Sequence, residues 1–447
     1  MTTPVELREQ ALHIFQTGVA AADPFLAVKR YLKTRNHHLE FLLNDGSTRL
    51  GHWSKIHLIA FGKAACAMTK AAQEIIPAAL LADINIAVTN YENVITLNAV
   101  DVMGAAHPLP DDAGLNAAQR IAAQVSLAQQ GELVLVLVSG GGSALIPYPV
   151  ASISLQDKSA TTQLLLSCGA PINQINCVRK HLSLLKGGGL ARLALPADVH
   201  ALILSDVLGD DLSAIASGPT MPDDTTYSDA ITVLKSQGIW DKVPVNVQFH
   251  LQQGERGKLP ETPKTDDAAF KNAGYTLIGS NAISITAMLN AAQSSGYETI
   301  VYSKHLSGEA CDVAEKLVIY AKHINKPMAL LAGGETTVTL TGSGLGGRNQ
   351  EMALAFAVAA KQHKLGGQWV FLSGGTDGRD GPTDAAGGLV DPNSLNRMLS
   401  AEIDPQALLA NNDSYHALKS SQDLLNIGAT GTNVADLQVL LIYPHLE

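Results

Sequence analysis

The sequence predicts an α/β fold built on a mainly parallel sheet. Its clearest strand, Leu133–Val138, is a run of six apolar residues without alternation, which is typical of a strand covered on both faces. Shorter apolar runs also end in small polar turns: residues 57–61 lead into Gly62, and residues 328–331 lead into Gly333. Ligands bind beyond the carboxyl ends of such strands, so we expect the functional site at these turns.

Helical and strand-like segments alternate along the chain. Apolar periodicity predicts helical structure over 5–34 and an alanine-rich helix that ends near Ile76. A turn at 107–112 precedes a predicted helix over 113–129, and 161–194 indicates a helical hairpin. Short apolar runs predict the strands at 57–61, 85–89, 133–138, 200–204, 275–278, 299–302, 328–331 and 370–372.

One region interrupts this alternation. Prolines and charged residues crowd together over 236–275, which is typical of a linker or an excursion between domains. We therefore divide the chain into an N-terminal α/β domain over 1–240 and a C-terminal α/β domain over 241–447.

The composition of the 447-residue chain limits its partners. A formal net charge of −10 disfavours nucleic-acid binding, which depends on many lysine and arginine contacts with phosphates. No stretch approaches the roughly 18 apolar residues of a membrane span, and the start of the chain lacks the apolar core of a signal peptide. The four cysteines are scattered without a C-x-x-C pair. We expect a reduced, cytoplasmic protein that binds neither nucleic acid nor a membrane.

The turn after the clearest strand is the first candidate binding loop. It consists of Ser139, Gly140, Gly141, Gly142 and Ser143. Glycines let backbone N–H groups approach a ligand and point together, which suits phosphate oxygens. Lys63 follows another predicted strand directly and is well placed for a substrate phosphate or carboxylate, although the full P-loop motif is absent.

A second candidate loop has the spacing G-x-G-x-x-G at Gly342, Gly344 and Gly347. It follows the strand-like residues 338–340 and precedes a helix. The acidic residue that a dinucleotide-binding motif places about 20 positions later is missing, so we favour phosphate or carboxylate binding over dinucleotide binding. Arg348 stands at the helix start, where the dipole disfavours a cation, and an anion bound there would explain its position.

Several acidic residues are candidates for chemistry or metal binding. Asp206 and Asp210 follow a predicted strand, and their oxygens suit Mg²⁺, which binds one or two carboxylates together with substrate phosphates. Asp206 is also a candidate base for a substrate hydroxyl. Asp211 is more simply the cap of a following helix. Glu335 follows the pair Gly333-Gly334, and Asp377 lies in a stretch dense in glycine and acidic residues; both are further binding candidates.

Taken together, nine segments resemble the glycerate 2-kinase family with its C-terminal MOFRL domain, in the expected order and over nearly the whole chain. No single motif is specific, but the ordered set is. The segments are Gly62 to Ala64, His107 to Asp111, Ser139 to Ala144, Asn176 to Ser183, Lys186 to Leu190, Ser205 to Asp210, Ala216 to Thr220, Gly346 to Glu351 and Ser373 to Gly387.

This resemblance implies ATP-dependent phosphorylation of D-glycerate at its 2-hydroxyl, giving 2-phosphoglycerate, with a divalent metal that is usually Mg²⁺. It implies a Rossmann-like first domain, a second domain of the MOFRL type, and an active site in the cleft between them, in a monomer or homodimer. Lys63 and Arg348 would contact anions, and Asp206 would be a catalytic or metal-linked acid, with Asp210 as a further metal ligand. The expected binding residues are Ser139, Gly140, Gly141, Gly142, Ser143, Glu335, Gly346, Gly347, Asn349 and Asp377.

Two other classes of function remain open from the sequence. Some relatives have been described as hydroxypyruvate reductases, and a nicotinamide-dependent reductase would use the same glycines. That reading requires an acid for the ribose, which we do not find. A sensor of sugar acids or nucleotides would bind ligand without turnover.

Overall fold

The computed structural model describes residues 3–35 and 38–444. The chain forms two compact units. The first unit contains the described residues of Pro24–Ser205 and Asp210–Ile278, and the second unit contains those of Met1–Asp23, Asp206–Gly209 and Gly279–Glu447. The boundary placed at residue 240 from the sequence therefore falls inside the first unit.

Sixteen α-helices and fifteen strands form in the described ranges. The helices are α1 Pro4–Ala21, α2 Pro24–Tyr31, α3 Ala65–Ile75, α4 Asp112–Val125, α5 Gly142–Leu145, α6 Leu155–Ser167, α7 Ile172–His181, α8 Gly189–Leu193, α9 Tyr227–Ser236, α10 Val245–Glu255, α11 Asn281–Ser294, α12 Ala310–Ala321, α13 Arg348–Gln362, α14 Ser394–Ser400, α15 Pro405–Ala410 and α16 Ser414–Ser420. The strands are β1 Leu32–Arg35, β2 His38–Leu42, β3 Thr48–Gly51, β4 Ile56–Phe61, β5 Ile86–Asn90, β6 Asp101–Ala105, β7 Leu133–Val138, β8 Asp198–Leu204, β9 Ala273–Gly279, β10 Glu298–Leu306, β11 Met328–Gly334, β12 Gln368–Gly375, β13 Gly387–Val390, β14 Leu424–Leu425 and β15 Asp436–Tyr443.

A six-stranded sheet in the order β6-β5-β4-β7-β8-β9 forms the centre of the first unit. The five strands from β6 to β8 in that order run parallel, as the sequence predicts. Every residue of β4 and β7 is buried, which explains their apolar runs. The turns that follow these two neighbouring strands lie side by side at one edge of the sheet.

The second unit is built on a mixed sheet in the order β10-β11-β15-β12-β13-β14. The last strand, β15, runs antiparallel between β11 and β12. Alternate side chains of these strands pack against α1 and α11 on one face and against α12 and α13 on the other. The sheet register places Asp436, the first residue of β15, opposite both Gly334 and Gly375, the last residues of β11 and β12.

Two of the predicted helical segments are divided differently. Residues 5–34 form two helices instead of one, because Pro24 ends the α1 segment and opens α2, and the chain then enters β1 at Leu32. The predicted hairpin over 161–194 contains three helices, α6 to α8.

The interpretation of 236–275 as a linker or excursion between domains was wrong. This region lies within the first unit and contains α10. Val247 and Leu251 lie one helical turn apart in α10 and are buried together with Val243, which precedes the helix. Their helical spacing was obscured by the surrounding prolines and charges. No single helix among the described residues combines the length and the apolar composition needed to cross a membrane.

Candidate functional site

The first candidate site is the lysine site, which we define as Lys63 with the loop Ser139–Ser143 and His107. Two hydrogen bonds join the turns after β4 and β7: the Lys63 N–H donates to the Gly140 carbonyl at 2.9 Å, and the Ala64 N–H donates to the side-chain hydroxyl of Ser139 at 3.1 Å. A Cβ at Gly62 would lie 2.2 Å from that hydroxyl, so only glycine permits this approach. The expected proximity of Lys63 and the glycine loop is therefore present within the first unit.

His107 lies against the middle of the same loop. Gly141 has φ +86°, and a Cβ there would lie 3.1 Å from the His107 ring and 3.4 Å from Cγ of Lys63. Burial, followed by the charge of Lys63, lowers the pKa of His107. Lys63 itself is exposed, so its ammonium group is accessible to a ligand.

A chain of polar contacts continues from the loop into the first unit. The Ser143 hydroxyl lies 2.8 Å from the Ser217 hydroxyl, which donates to Oδ1 of Asn176 at 3.0 Å. Nζ of Lys186 donates to the Ser143 carbonyl at 3.1 Å. Ala216 and Ser217 both have positive φ, at 50° and 60°, in the left-handed region that residues other than glycine rarely adopt. Such backbone strain concentrates at functional sites.

The acidic residues after β8 differ in exposure and in the unit to which they belong. Asp206 is exposed and groups with the second unit, whereas Asp210 is half-buried and groups with the first. We expected Asp211 to cap an α-helix, but no α-helix follows it directly; the chain forms a 3-10 turn at Ile215–Ser217 instead. The Asp211 carboxylate accepts the N–H of Ser213 at 2.9 Å.

The second candidate site is the arginine site, which we define as Arg348, Glu335 and Asp436. Arg348 opens α13 and forms a bidentate ion pair with Asp436, through Nε at 2.6 Å and Nη2 at 3.0 Å. Its Nη1 donates to Glu335, which follows β11 directly. Asp436 is 1% exposed and Arg348 is 34% exposed, so a buried carboxylate holds a partly accessible guanidinium.

Protein carboxylates therefore balance the cation at the start of α13. The anion that we inferred from the position of Arg348 is present as Asp436, and no ligand is needed to explain that position. Asp380 supplies a further negative charge: its Oδ1 accepts the N–H of Asn349 at 3.1 Å and its Oδ2 accepts the N–H of Gln350 at 2.8 Å. Asp380 thus caps α13.

Burial and pairing change the proton affinities of this site. Burial raises the pKa of Asp436 to about 6, against the opposing effect of its hydrogen bonds with Arg348. Burial alone would lower the pKa of Arg348, but its hydrogen bonds with Asp436 and the charges of Asp436 and Glu335 raise that pKa above its ordinary value. Arg348 is a permanent cation, and Asp436 is a carboxylate that titrates in the mildly acidic range.

A cavity of about 940 Å³ opens at the arginine site within the second unit. Glu335, Arg348 and Asp377 line it, as does Arg379, so two guanidinium groups face one space. Thr336 lines it as well, and its buried hydroxyl has no hydrogen-bond partner among the described residues. The volume of this cavity suits a ligand of the size of a nucleotide or a sugar acid, and its lining carries both guanidinium groups and carboxylates, among them Asp380.

The glycines of the G-x-G-x-x-G spacing serve close packing. A Cβ at Gly342 would lie 2.3 Å from the Asn411 carbonyl, and a Cβ at Gly344 would lie 2.4 Å from Cβ of Asp413. Residues 338–340 form no strand, so the strand that we predicted before the motif was wrong, whereas the helix after it begins at Arg348 as expected. The dinucleotide-binding context is therefore missing.

The other predicted residues of this segment differ in accessibility. Gly347 lines the cavity, whereas a Cβ at Gly346 would lie 2.2 Å from the Ser414 hydroxyl. Asn349 is 1% exposed: its amide donates to Asp380 at 3.3 Å, and its Oδ1 accepts the Ser373 hydroxyl at 2.6 Å. Its side chain faces the protein interior.

Sequence reasoning missed Asp436 as part of the site. It lies 88 positions from Arg348, with no local motif around it. Asp380, Arg179 and Lys186 lie within the segments that resemble the family, but the sequence indicated no role for them.

The described residues contain no cluster of three or more histidine, cysteine, aspartate or glutamate side chains that could form a metal cage. Both oxygens of Asp380 and of Asp436 already accept protein donors. Asp206 offers an exposed carboxylate. Such a donor set fits Mg²⁺ held by one or two carboxylates and substrate phosphates, and does not fit a structural metal.

Comparison with known proteins gives matches over almost the whole chain. Residues 10–252 match the family described as Domain of unknown function (DUF4147), and residues 328–436 match the MOFRL family. The chain is 38% identical over 446 residues to a protein of Pyrococcus horikoshii named glycerate 2-kinase, and the match covers 98% of each chain. It is 39% identical over 447 residues to a protein of Agrobacterium vitis provisionally named hydroxypyruvate reductase, covering 98% of this chain and 95% of that protein.

The fold is similar to that of a solved kinase structure. The crystal structure of glycerate kinase from Thermotoga maritima superimposes with a TM-score of 0.85 and 37% sequence identity, covering 98% of this chain and 99% of that chain. At this identity and coverage, both the α/β architecture and the family are shared along the full length.

Proposed function

This chain belongs to the glycerate 2-kinase family, and we propose that it transfers the γ-phosphoryl group of ATP to the 2-hydroxyl of D-glycerate, giving 2-phosphoglycerate and ADP. The observation that carries the proposal is the full-length similarity to a glycerate 2-kinase, which covers 98% of both chains. The two candidate sites contain the cations and backbone donors that phosphoryl transfer requires.

Lys63 is the cation of the first unit in this proposal. It stands two residues after the end of β4, is exposed, and has its backbone held by the glycine loop through the Gly140 carbonyl. A lysine is a compact point charge that suits phosphate oxygens. We assign it to the anionic oxygens of the transferred phosphoryl group, where a positioned charge stabilises the transition state.

Arg348 is the cation of the second unit. A guanidinium has five N–H donors, and three of them bond to Asp436 and Glu335, which leaves two for a ligand. The bidentate pair with Asp436 fixes the plane of the guanidinium. Arg348 lines the cavity, and its two remaining donors suit a carboxylate or a phosphate. Asp377 and Arg379 on the same cavity are expected to select and orient that ligand.

Asp206 is the proposed base or metal-linked acid. Its carboxylate is exposed after β8 and can accept the proton of the acceptor hydroxyl as the new P–O bond forms. Mg²⁺, held by Asp206 and Asp210 together with ATP, would neutralise charge on the phosphates. The remaining work of the protein is to position the hydroxyl in line with the γ-phosphorus.

We place the reaction in the cytoplasm, in a monomer or homodimer. The four cysteines are free thiols, and burial raises the pKa of Cys66, which keeps that thiol unreactive. Sedimentation of the purified chain with and without ATP would determine its oligomeric state.

The direct test mixes the purified protein with D-glycerate, ATP and Mg²⁺ and identifies the product by ³¹P NMR. A phosphorus signal coupled to the proton on carbon 2 is expected. A parallel reaction with hydroxypyruvate and NADH is expected to leave the NADH absorbance unchanged. Phosphorylation at carbon 3, or NADH oxidation without ADP formation, would refute the assignment.

A further inference from the structure

Three cations of the first unit are near enough to interact electrostatically, and one of them contacts the Ser139–Ser143 loop. They are Lys158 on α6, Arg179 on α7 and Lys186 in the turn after α7, and we call them the buried cation cluster. Lys158 is 5% exposed and Lys186 is 1% exposed, whereas Arg179 is half-buried. Lysines are almost never fully buried unless a partner compensates their charge.

No acidic partner compensates these charges in the described part of the chain. None of the three forms an ion pair there, and Nζ of Lys158 has no hydrogen-bond partner at all. Among the described residues, Lys186 donates only to carbonyls, those of Ser143 at 3.1 Å and Ala216 at 3.5 Å. In contrast, the neighbouring Lys180 is paired with Asp223 at 3.3 Å.

The three groups repel one another electrostatically. Burial, followed by the charge of Arg179, lowers the pKa of Lys158 to about 7. Burial and the charges of Lys158 and Arg179 hold the pKa of Lys186 well below its ordinary value. An unpaired buried charge costs several kcal/mol of folding free energy, and the lowered pKa values of the two buried lysines reflect that cost; a bound anion would compensate it.

The amide of Asn176, a neutral hydrogen-bond donor, lies next to the cluster. Asn176 lies one helical turn before Arg179, on the same face of α7, and its buried amide nitrogen has no partner among the described residues. Its Oδ1 accepts Ser217, which contacts Ser143. Lys186 binds the carbonyl of the same Ser143. The cluster is therefore continuous with the Ser139–Ser143 loop.

We propose that Lys158, Arg179 and Lys186 form the anion subsite of the lysine site, which takes a small oxyanion: the carboxylate of the acceptor acid or a phosphoryl group. This inference deepens the proposed function and rests on it for the identity of the acceptor. The forked guanidinium of Arg179 supplies directed hydrogen bonds, and the two lysines supply charge. The bound oxyanion provides the negative charge that the protein lacks here.

The test measures binding without turnover. Isothermal titration calorimetry is carried out with D-glycerate alone and with inorganic phosphate alone, on the natural protein and on Lys158→Met, which keeps the length of the side chain and removes its charge. We expect at least a tenfold loss of affinity for one of these anions in the variant. Lys242→Met is the matched control: it removes an exposed lysine of the same unit and should leave both affinities unchanged.

Thermal unfolding without ligand gives a second readout that a merely structural lysine would not produce. Since Lys158→Met removes an uncompensated buried amine, the unfolding temperature of the ligand-free variant should equal or exceed that of the natural protein. If this variant fails to fold, Arg179→Met, at a less buried position, is measured in the same way.

The anion whose affinity falls identifies the source of the oxyanion: D-glycerate indicates the acceptor carboxylate, and phosphate indicates a phosphoryl group. Unchanged affinity for both anions in a folded variant overturns the subsite. Loss of anion affinity in a protein that shows no kinase activity would overturn the proposed function and leave the subsite standing. The two proposals therefore fail separately.

Discussion

The ion pair between Arg348 and Asp436 makes a quantitative prediction for the substitution Asp436→Asn. The new amide keeps the size of the carboxylate but presents an NH₂ group to one Arg348 donor, so one of the two hydrogen bonds, at 2.6 and 3.0 Å, is lost. Arg348 is then held mainly by Glu335, whose side chain is 49% exposed. A misplacement of about 1 Å costs on the order of 10²-fold in rate, or about 2.7 kcal/mol of transition-state stabilisation.

The same substitution should leave the fold intact. Asp436 is almost completely buried, so its charge is penalised by burial while Arg348 stabilises it. Asparagine removes both effects, and we expect the free energy of unfolding to change by less than about 2 kcal/mol. Steady-state kinetics of ADP formation and urea unfolding measure the two quantities separately. Glu298→Gln is the control, because Glu298 is an exposed carboxylate of the same unit that pairs with Lys326 outside the arginine site, and its loss should leave kcat unchanged.

The pH dependence provides an independent check. With a pKa of about 6, Asp436 is ionised at pH 7 and takes up a proton as the pH falls through 6, which removes the charge that holds Arg348. The natural protein should therefore lose kcat below pH 6, and Asp436→Asn should lack that decline. A variant that keeps more than half of the natural kcat at pH 7.5 would show that Asp436 does not position Arg348.

Four further substitutions test the site assignment, the pH dependence of stability and the packing at the start of α13. Lys63→Ala and Arg348→Ala should each lower kcat/KM by on the order of 10²-fold or more, and near-normal turnover in both would refute the site assignment. Burial alone would lower the pKa of His181, but hydrogen bonds to Cys177 and Glu261 raise it to about 9, so protonated His181 contributes stability that is complete below pH 6.5 and is lost as the pH rises to 9. His181→Gln should remove that decline, on the order of 3 kcal/mol, in urea titrations at pH 6.5 and 9, and an unchanged slope would contradict it. Gly347→Ala should destabilise the protein by about 1–3 kcal/mol in thermal melts, because its Cβ would lie 2.4 Å from the carboxylate that caps α13, and an unchanged melt would contradict that packing.

The parts of the fold that sequence reasoning anticipated are those with a local cause. The strand Leu133–Val138 was predicted at its observed bounds, because six apolar residues in a row have few alternatives to a strand buried on both faces. The juxtaposition of Lys63 with the 139–143 loop followed from one geometric rule, since neighbouring parallel strands end at the same edge.

The parts that were missed depend on contacts between distant segments. Asp436 reaches Arg348 only because β15 inserts between β11 and β12, and nothing near residue 436 signals that pairing. Residues 236–275 were misread because prolines and charges at their surface dominate the composition, while the buried side chains of α10 are few. Residues 338–340 were predicted as a strand but belong to an irregular segment, because the glycines that follow them pack against the 411–413 turn.

The position of β15 has a consequence for biosynthesis. During translation α1 is synthesised before its packing partners, because the helix and strands against which it packs follow residue 279. The central strand of the same sheet, β15, is synthesised after every other strand in it. The edges of β11 and β12 that pair with β15 therefore stay unpaired until residues 436–443 have been made. A nascent chain stalled before residue 436 would carry a completed first unit beside an open sheet that is prone to aggregation, and chaperone capture should be greatest at that length.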